Sequence, residues 1–162
     1  MRKVPFPRIA PRAITLLVHA PGAPGLRLLG LGPSLKPARG LFKLQRLFNQ
    51  HAFWARGRSK RQLQKMLAGS TAIVSLWSGK RLVGFARATS DGALRATLWD
   101  VVIPEDIQGQ GLGRQLVEAL LEHRSIKDVE RVYIMTTNQE GFYTQMKFSK
   151  NKTQTLMIKT ID

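Results

Sequence analysis

Gln108-Gly109-Gln110-Gly111-Leu112-Gly113-Arg114 stands between an apolar stretch, Leu94–Ile103, and a segment of helical period, Leu112–Arg124. Three glycines at alternate positions let the backbone turn tightly and come close to a ligand. The helix that opens here leaves its first N–H groups without partners, and the positive end of its dipole favours an anion. Arg114 adds a cation beside them. A strand, a glycine loop and a helix in this order predict a backbone cradle for a pyrophosphate; a bare turn needs one glycine, not three. Competing nucleotide patterns fail. No G-x-x-x-x-G-K-[ST] occurs, and Arg114 stands where G-x-G-x-x-G has its last glycine. No acidic residue closes a second strand about 20 positions on.

Outward from the loop, Leu112, Leu116, Leu120 and Leu121 form the core face of its helix, with Arg114, Glu118 and Glu122 outside. Upstream, Thr71–Trp77, Arg81–Thr89 and Leu94–Ile103 read as strands, with a turn at Ser78-Gly79-Lys80 and a hairpin turn at Asp91-Gly92. Leu41, Leu44, Leu47, Phe48 and Ala52 recur at helical spacing, and a second helix follows the N-cap Ser59 with Leu63, Met66 and Leu67 on one face. Downstream come a strand over Arg131–Thr136, a short helix from about Gln139 to Met146 and a last strand over Thr153–Lys159. A first short strand is expected over Leu26–Leu31. The order is β-α-α-β-β-β-α-β-α-β, a mixed sheet with helices on it.

Seven of the eight prolines precede residue 40. Residues 1–25 read as a basic, Pro/Gly-rich extension and residues 26–162 as a single domain. The apolar run Ala13–Ala20 is short and Pro21 follows it, and serine is nearly absent, so neither a signal nor a transit peptide fits well.

The 162 residues carry 26 Lys/Arg and 10 Asp/Glu, a formal net charge of +16. No acid occurs before Asp91: residues 1–90 carry +17 and residues 91–162 carry −1. Such a half suits a polyanionic partner, whether nucleic acid, a phosphorylated ligand or an acidic protein. The absence of cysteine excludes disulfides, thiolate metal sites and a cysteine nucleophile. His19, His51 and His123 lack metal-ligand spacing, so no metal is expected. No apolar run is long enough to span a bilayer.

After the Arg131–Thr136 strand comes Met135-Thr136-Thr137-Asn138-Gln139-Glu140-Gly141-Phe142-Tyr143-Thr144-Gln145-Met146-Lys147-Phe148. Adjacent parallel strands that part at their carboxyl ends open a crevice where ligands bind. The glycine loop leaves one such strand and this segment leaves its neighbour, so Tyr143 is expected to face the crevice. Asp100 is a candidate general base. A lone carboxylate buried within Leu98-Trp99-Asp100-Val101-Val102 would have a raised pKa. Counting from an Asp91-Gly92 turn places it opposite Val83 or Gly84, with Arg87 several residues away. A structural ion pair, a water chain and Glu105 stay open as alternatives.

Gln108, Gly111 and Gly113 match the [QR]-x-x-G-x-[GA] motif of the GCN5-related N-acetyltransferase (GNAT) superfamily, and Val101-Val102-Ile103-Pro104 matches the strand before it. Phe142-Tyr143 and Phe148 match the family's late F-Y-x-x-x-G-F element, with Lys147 where glycine is usual. Ser75-Leu76-Trp77, Gly84-Phe85-Ala86-Arg87-Ala88-Thr89-Ser90-Asp91-Gly92 and Leu98-Trp99-Asp100-Val101-Val102 resemble the cyanobacterial and plastid branch, which includes serotonin N-acetyltransferases, some of which also acetylate protein lysines.

This resemblance implies an α/β (α+β) GNAT fold, a mixed twisted sheet of about six or seven strands flanked by about four helices. It implies acetyl-CoA as co-substrate, held by Val101, Val102, Ile103, Gln108, Gly109, Gln110, Gly111, Gly113, Arg114, Asn138 and Tyr143. The acetyl group would pass directly to an arylalkylamine such as serotonin or to a protein lysine, with no acyl-enzyme. Tyr143 would protonate the leaving thiolate, and backbone N–H near Val102 would polarise the thioester oxygen. The connection bearing Phe53, Trp54 and Arg58 would cover the acceptor pocket, with Trp99 also lining it; as a plain sequence feature, Trp54 is equally a core aromatic. The alternative function is a GNAT-like module whose residues 1–90 dock on RNA, ribosomes or other acidic partners. A cytoplasmic or plastid-stromal location is expected, and a homodimer is compatible with the sequence.

Overall fold

The computed structural model describes residues 14–162. Its order is β1 (Ile14–Val18), α1 (Pro24–Leu29), α2 (Gly40–His51), α3 (Lys60–Ala68), β2 (Ala72–Ser78), β3 (Arg81–Ser90), β4 (Arg95–Val102), α4 (Leu112–Leu121), β5 (Arg131–Tyr133) and α5 (Glu140–Gln145). The five described strands lie in the order β1-β2-β3-β4-β5, all antiparallel except the β4–β5 pair.

Both faces of this sheet are covered, which is why β2 is buried without alternation from Ala72 to Trp77, with Ser75 the one polar residue in that run. Ile73, Trp77 and Phe85 pack against Leu26, Leu44, Leu47, Phe48, Leu63 and Leu67 of α1–α3. Val74, Leu76, Val83 and Ala86 pack against Leu112, Leu116, Val117 and Leu120 of α4 and against Tyr143. A Cβ at Gly84 would come within 2.8 Å of Ile103 and 3.2 Å of Leu116. The absence of a side chain there is what lets α4 lie close on the sheet. Ser59 caps α3 in a full capping box with Gln62.

Three expectations are corrected. Residues 14–25 are part of the fold: Ile14–Val18 pairs antiparallel with β2, from Ile14↔Ser78 to Val18↔Val74, and Pro24 opens α1. Residues 1–13 of the expected extension lie outside the described residues. Leu26–Leu31 is not a strand. Pro24 at the first helical position and Gly30 in the left-handed conformation at the far end bracket a short helix that buries Leu26. Thr153–Lys159 also forms no strand: it pairs with nothing described, and Leu156, Met157 and Ile158 are exposed. Alternation supplies a face but not a partner, and five described strands take the place of six or seven.

Candidate active site

The backbone runs from β4 through Pro104 and a single 3-10 turn, Glu105–Ile107, into the glycine loop and α4. Gly109 (φ +79°) and Gly111 (φ +77°) occupy the left-handed region, and a Cβ at either would stand in open space. The loop therefore presents backbone to solvent with nothing in front of it. The amides of Gly109, Gln110, Gly111, Leu112, Gly113 and Arg114 donate to no acceptor among the described residues; the first used amide is Gln115, on the Gly111 carbonyl at 3.1 Å. A row of unpaired N–H groups at a helix N-terminus fits a pyrophosphate. Gln108 Nε2 donates to the Ile103 carbonyl at 3.0 Å and ties the start of the loop to the residue that follows β4. Gly113 faces the other way: a Cβ there would rest against the Phe142 ring at 3.5 Å, an ordinary contact distance. Gln110 is exposed, and Arg114 is paired with Glu118 one turn on, at 2.7 Å.

Parallel pairing of β4 with β5 lasts only from Arg95↔Arg131 to Thr97↔Tyr133. Beyond it the strands part, and Leu98–Val102 has no strand partner on that side among the described residues. The gap is a crevice of about 500 Å³. Trp99, Asp100 and Val101 line it from β4, Ile134–Gln139 from beyond β5, Tyr143 from α5, and Phe53, Trp54 and Arg58 from the α2–α3 connection. Val102 is buried and Ile103 half-buried.

Tyr143 is 7% exposed and its ring stacks edge-on between Phe142 (4.9 Å) and Phe148 (5.6 Å). Its hydroxyl bonds no side chain among the described residues, and burial pushes its pKa up to about 12. The phenol therefore stays protonated throughout the neutral range. Lys147 takes φ +67°, while Phe148 N–H donates to the Tyr143 carbonyl and Lys147 N–H to the Thr144 carbonyl, both at 3.0 Å. This is a Schellman ending, so lysine keeps the left-handed turn that glycine would make more easily.

Asp100 corrects the reading of a lone carboxylate. It is 9% exposed, and both oxygens are engaged. Trp54 Nε1 donates to Oδ1 at 3.0 Å, while Arg87 Nε and Arg58 meet Oδ2 at 2.8 and 3.1 Å. Burial alone would raise the carboxyl's pKa, but hydrogen bonds and charge from Arg58 and Arg87 together outweigh it and hold it below the usual carboxylate range. The register explains the difference. The Asp91 carboxylate accepts N–H bonds from Ala93, Leu94 and Arg95, so the hairpin loop is longer than Asp91-Gly92 and the first pair is Ser90↔Ala96. A bulge between Arg87↔Trp99 and Phe85↔Val102, with Asp100 at φ +53°, then brings Arg87 to Asp100. Arg87 was the missed partner, and the Asp91 loop was the signal for it.

The remaining residues divide. Trp54 (49% exposed) and Phe53 (58%) stand edge to face at 5.2 Å, so Trp54 is a rim aromatic and not a core one. Trp99 donates to Thr89 Oγ1 at 2.8 Å and lies 5.8 Å from the Arg87 guanidinium. Asn138 is exposed and lines the crevice. Glu105 bonds His51 at 2.5 Å and does not line the crevice. Among the described residues no cluster of His, Asp and Glu could hold a metal, and no helix is long and apolar enough to cross a membrane.

Comparison with known proteins bears on this geometry. The chain is 38% identical over 100 residues to an uncharacterized N-acetyltransferase, ycf52, of Pyropia yezoensis, an alignment covering 57% of this chain and 58% of that one. It is 43% identical over 70 residues to the chloroplastic GCN5-related N-acetyltransferase 2 of Arabidopsis thaliana (43% of this chain, 27% of that one) and, at the same identity and length, to the histone acetyltransferase TAP1 of Glycine max (43% and 30%). The matches thus span about a quarter to three-fifths of these relatives. A crystal structure assigned to the GNAT family, from Xanthomonas campestris pv. campestris, superposes with a TM-score of 0.66 at 22% identity, covering 91% of this chain and 94% of that one, and shares the fold. Residues 44–157 match the acetyltransferase (GNAT) domain family, and with the glycine loop, the parted β4–β5 pair and Tyr143 inside that span, the chain belongs to the GNAT acetyltransferases.

Proposed function

We propose that the chain transfers the acetyl group of acetyl-CoA directly to a primary amine, and that the acceptor is an arylalkylamine or a lysine on an acidic protein. The observation that carries this reading is the row of unpaired amides from Gly109 to Arg114 beside a crevice that holds a buried, protonated tyrosine. The amides of the loop would hold the pyrophosphate, the unpartnered edge at Val101–Ile103 the pantetheine, and Asn138 would flank it. Acetyl-CoA supplies an activated thioester. As the amine nitrogen bonds to the carbonyl carbon, the C–S bond breaks, Tyr143 gives its proton to the departing sulfur, and the proton shed by the new amide nitrogen returns through water to the phenolate. Backbone N–H at Val102 would steady the carbonyl oxygen.

The ammonium proton leaves before attack, and it goes to water, because Asp100 is engaged on both oxygens and its lowered pKa makes it a poor proton acceptor. Two arginines against one carboxylate make the charged lining of the crevice net positive, which lowers the pKa of an amine entering it. The same charge disfavours polycations. Phe53 and Trp54 offer exposed rings to an aromatic amine or a lysine stem. The chloroplastic and histone-acetylating names of the relatives support a plastid setting and a protein lysine, respectively. The test follows free CoA across tryptamine, lysine peptides and spermidine. Turnover of the first two with poor turnover of spermidine is expected; acetyl-CoA binding without transfer to any amine would overturn the reading.

A further inference from the structure

A second cavity, of about 510 Å³, lies between α2 and the β2–β3 turn. Lys43, Arg46, Lys80 and Arg81 surround an aliphatic base made by Leu47, Leu82 and Pro104. Two groups at its rim have acidic partners: Arg81 pairs with Asp106 at 3.1 Å, and the His51 imidazole bonds Glu105 at 2.5 Å. The other three cations do not. Lys43 donates to the backbone carbonyl of Lys80. No carboxylate among the described residues is within ion-pair distance of Lys43, Arg46 or Lys80, and residues 1–13 contain no acid to supply one. Burial, Lys80 and Arg39, in that order, hold the Lys43 ammonium below its ordinary pKa. Cations gathered without counter-charge repel one another, and an arriving anion relieves that repulsion.

The shape selects the anion. Among the described residues no Phe, Tyr or Trp lines the groove, and its one ring, the His51 imidazole, is held by Glu105, so it offers a poor platform for stacking nucleic-acid bases. An aliphatic base between cationic walls suits an extended polypeptide with alternating carboxylates and small apolar side chains. The groove also adjoins the crevice. His51 stands two residues before Phe53, and Pro104 lies three residues past Val101, ~10 Å along an extended chain.

We propose that the groove of Lys43, Arg46 and Lys80 docks an extended acidic segment of a protein acceptor, close in sequence to the lysine that enters the crevice. This rests on the lysine-acceptor reading above, but its test does not need turnover. A labelled peptide of alternating Glu and Val with a single Lys is titrated with the full chain by fluorescence anisotropy. Affinity falls on the order of tenfold in the Arg46→Glu/Lys80→Glu double variant. It changes by less than about twofold in Lys60→Glu/Arg61→Glu, which alters net charge equally on the exposed start of α3. Arg46→Gln/Lys80→Gln gives a smaller loss in the same direction and serves if the reversal fails to fold. With acetyl-CoA present, the groove variants raise KM for the acidic peptide and leave tryptamine turnover unchanged. Equal loss in the α3 control, no loss in the groove variants, or an oligonucleotide that binds the groove more tightly than the peptide would each overturn the proposal.

Discussion

The glycine loop and the Asp100 cluster stand at two points of one stretch, eight to fourteen residues apart, and are built in opposite ways. The loop is backbone: its amides are unpaired, Gly109 and Gly111 face open space, and its one charged side chain, Arg114, is turned to Glu118. The cluster is side chain: a carboxylate at a bulge is enclosed by two guanidiniums and an indole from other elements. The first keeps its donors available for a ligand. The second has used its donors and acceptors on itself, so it holds the α2–α3 connection against the sheet and leaves no carboxylate to accept a proton. Damage to the loop should therefore appear in ligand binding, and damage to the cluster in stability.

The strongest test of that contrast is Asp100→Ala. It leaves two half-buried guanidiniums without their carboxylate and is expected to cost ~2–3 kcal/mol of unfolding free energy, read by chemical denaturation. A loss below about 1 kcal/mol would remove the structural role. The sign with pH follows from the lowered pKa. The Asp100 contribution is fully present above the unfolded-state value, near pH 4, and is lost as pH falls through the lower folded-state value. Asp100→Asn should accordingly leave the shape of the pH–rate profile between pH 5 and 8 unchanged, because no titration of Asp100 falls there.

Next in size is Gly111→Asp. A side chain forced into the left-handed region costs ~1–2 kcal/mol, and its charge meets the phosphates. Acetyl-CoA affinity by calorimetry should fall on the order of a hundredfold, while Tm drops by only about 2–8 °C. Unchanged affinity in the folded variant would break the account of the loop.

Tyr143 lies between the two regimes, buried like the cluster but with its hydroxyl available like the loop. Tyr143→Phe should lower kcat about a hundredfold, with acetyl-CoA affinity nearly unchanged. Because the phenol's pKa is pushed up to about 12, the wild-type rate should show no loss from Tyr143 ionisation below pH 10. Smallest is Lys147→Gly, which relieves a left-handed lysine and should stabilise the fold by ~1 kcal/mol, visible as a rise of about 2–4 °C in Tm without change in kcat.

The loop was legible because everything it does is encoded within seven consecutive residues. Gln108 through Arg114 specify the turn, the unpaired amides and the helix start, whatever lies elsewhere. Tyr143 was legible for a related reason, since its short helix follows directly from the strand beside the loop. The Asp100 cluster was not. Its carboxylate, Arg87, Arg58 and Trp54 come from separate elements, and their meeting depends on a hairpin register moved by the three N–H bonds to the Asp91 side chain. A register error of a few residues was enough to turn an ion pair into a lone acid.

The sequence by itself determined the strand–loop–helix core, the capping of α3, the apolar faces of α2 and α4 and the acid-free first 90 residues, because propensity, periodicity and charge are local properties of the chain. The tertiary structure decided the rest. Ile14–Val18 became an edge strand because β2 offered it an unpaired side, and Thr153–Lys159 did not become one because no described strand met it. Asp100 became an ion-paired anchor because folding placed two arginines on it. Pairing, burial and charge balance are relations between distant residues, and their energies exist only once the chain has closed on itself.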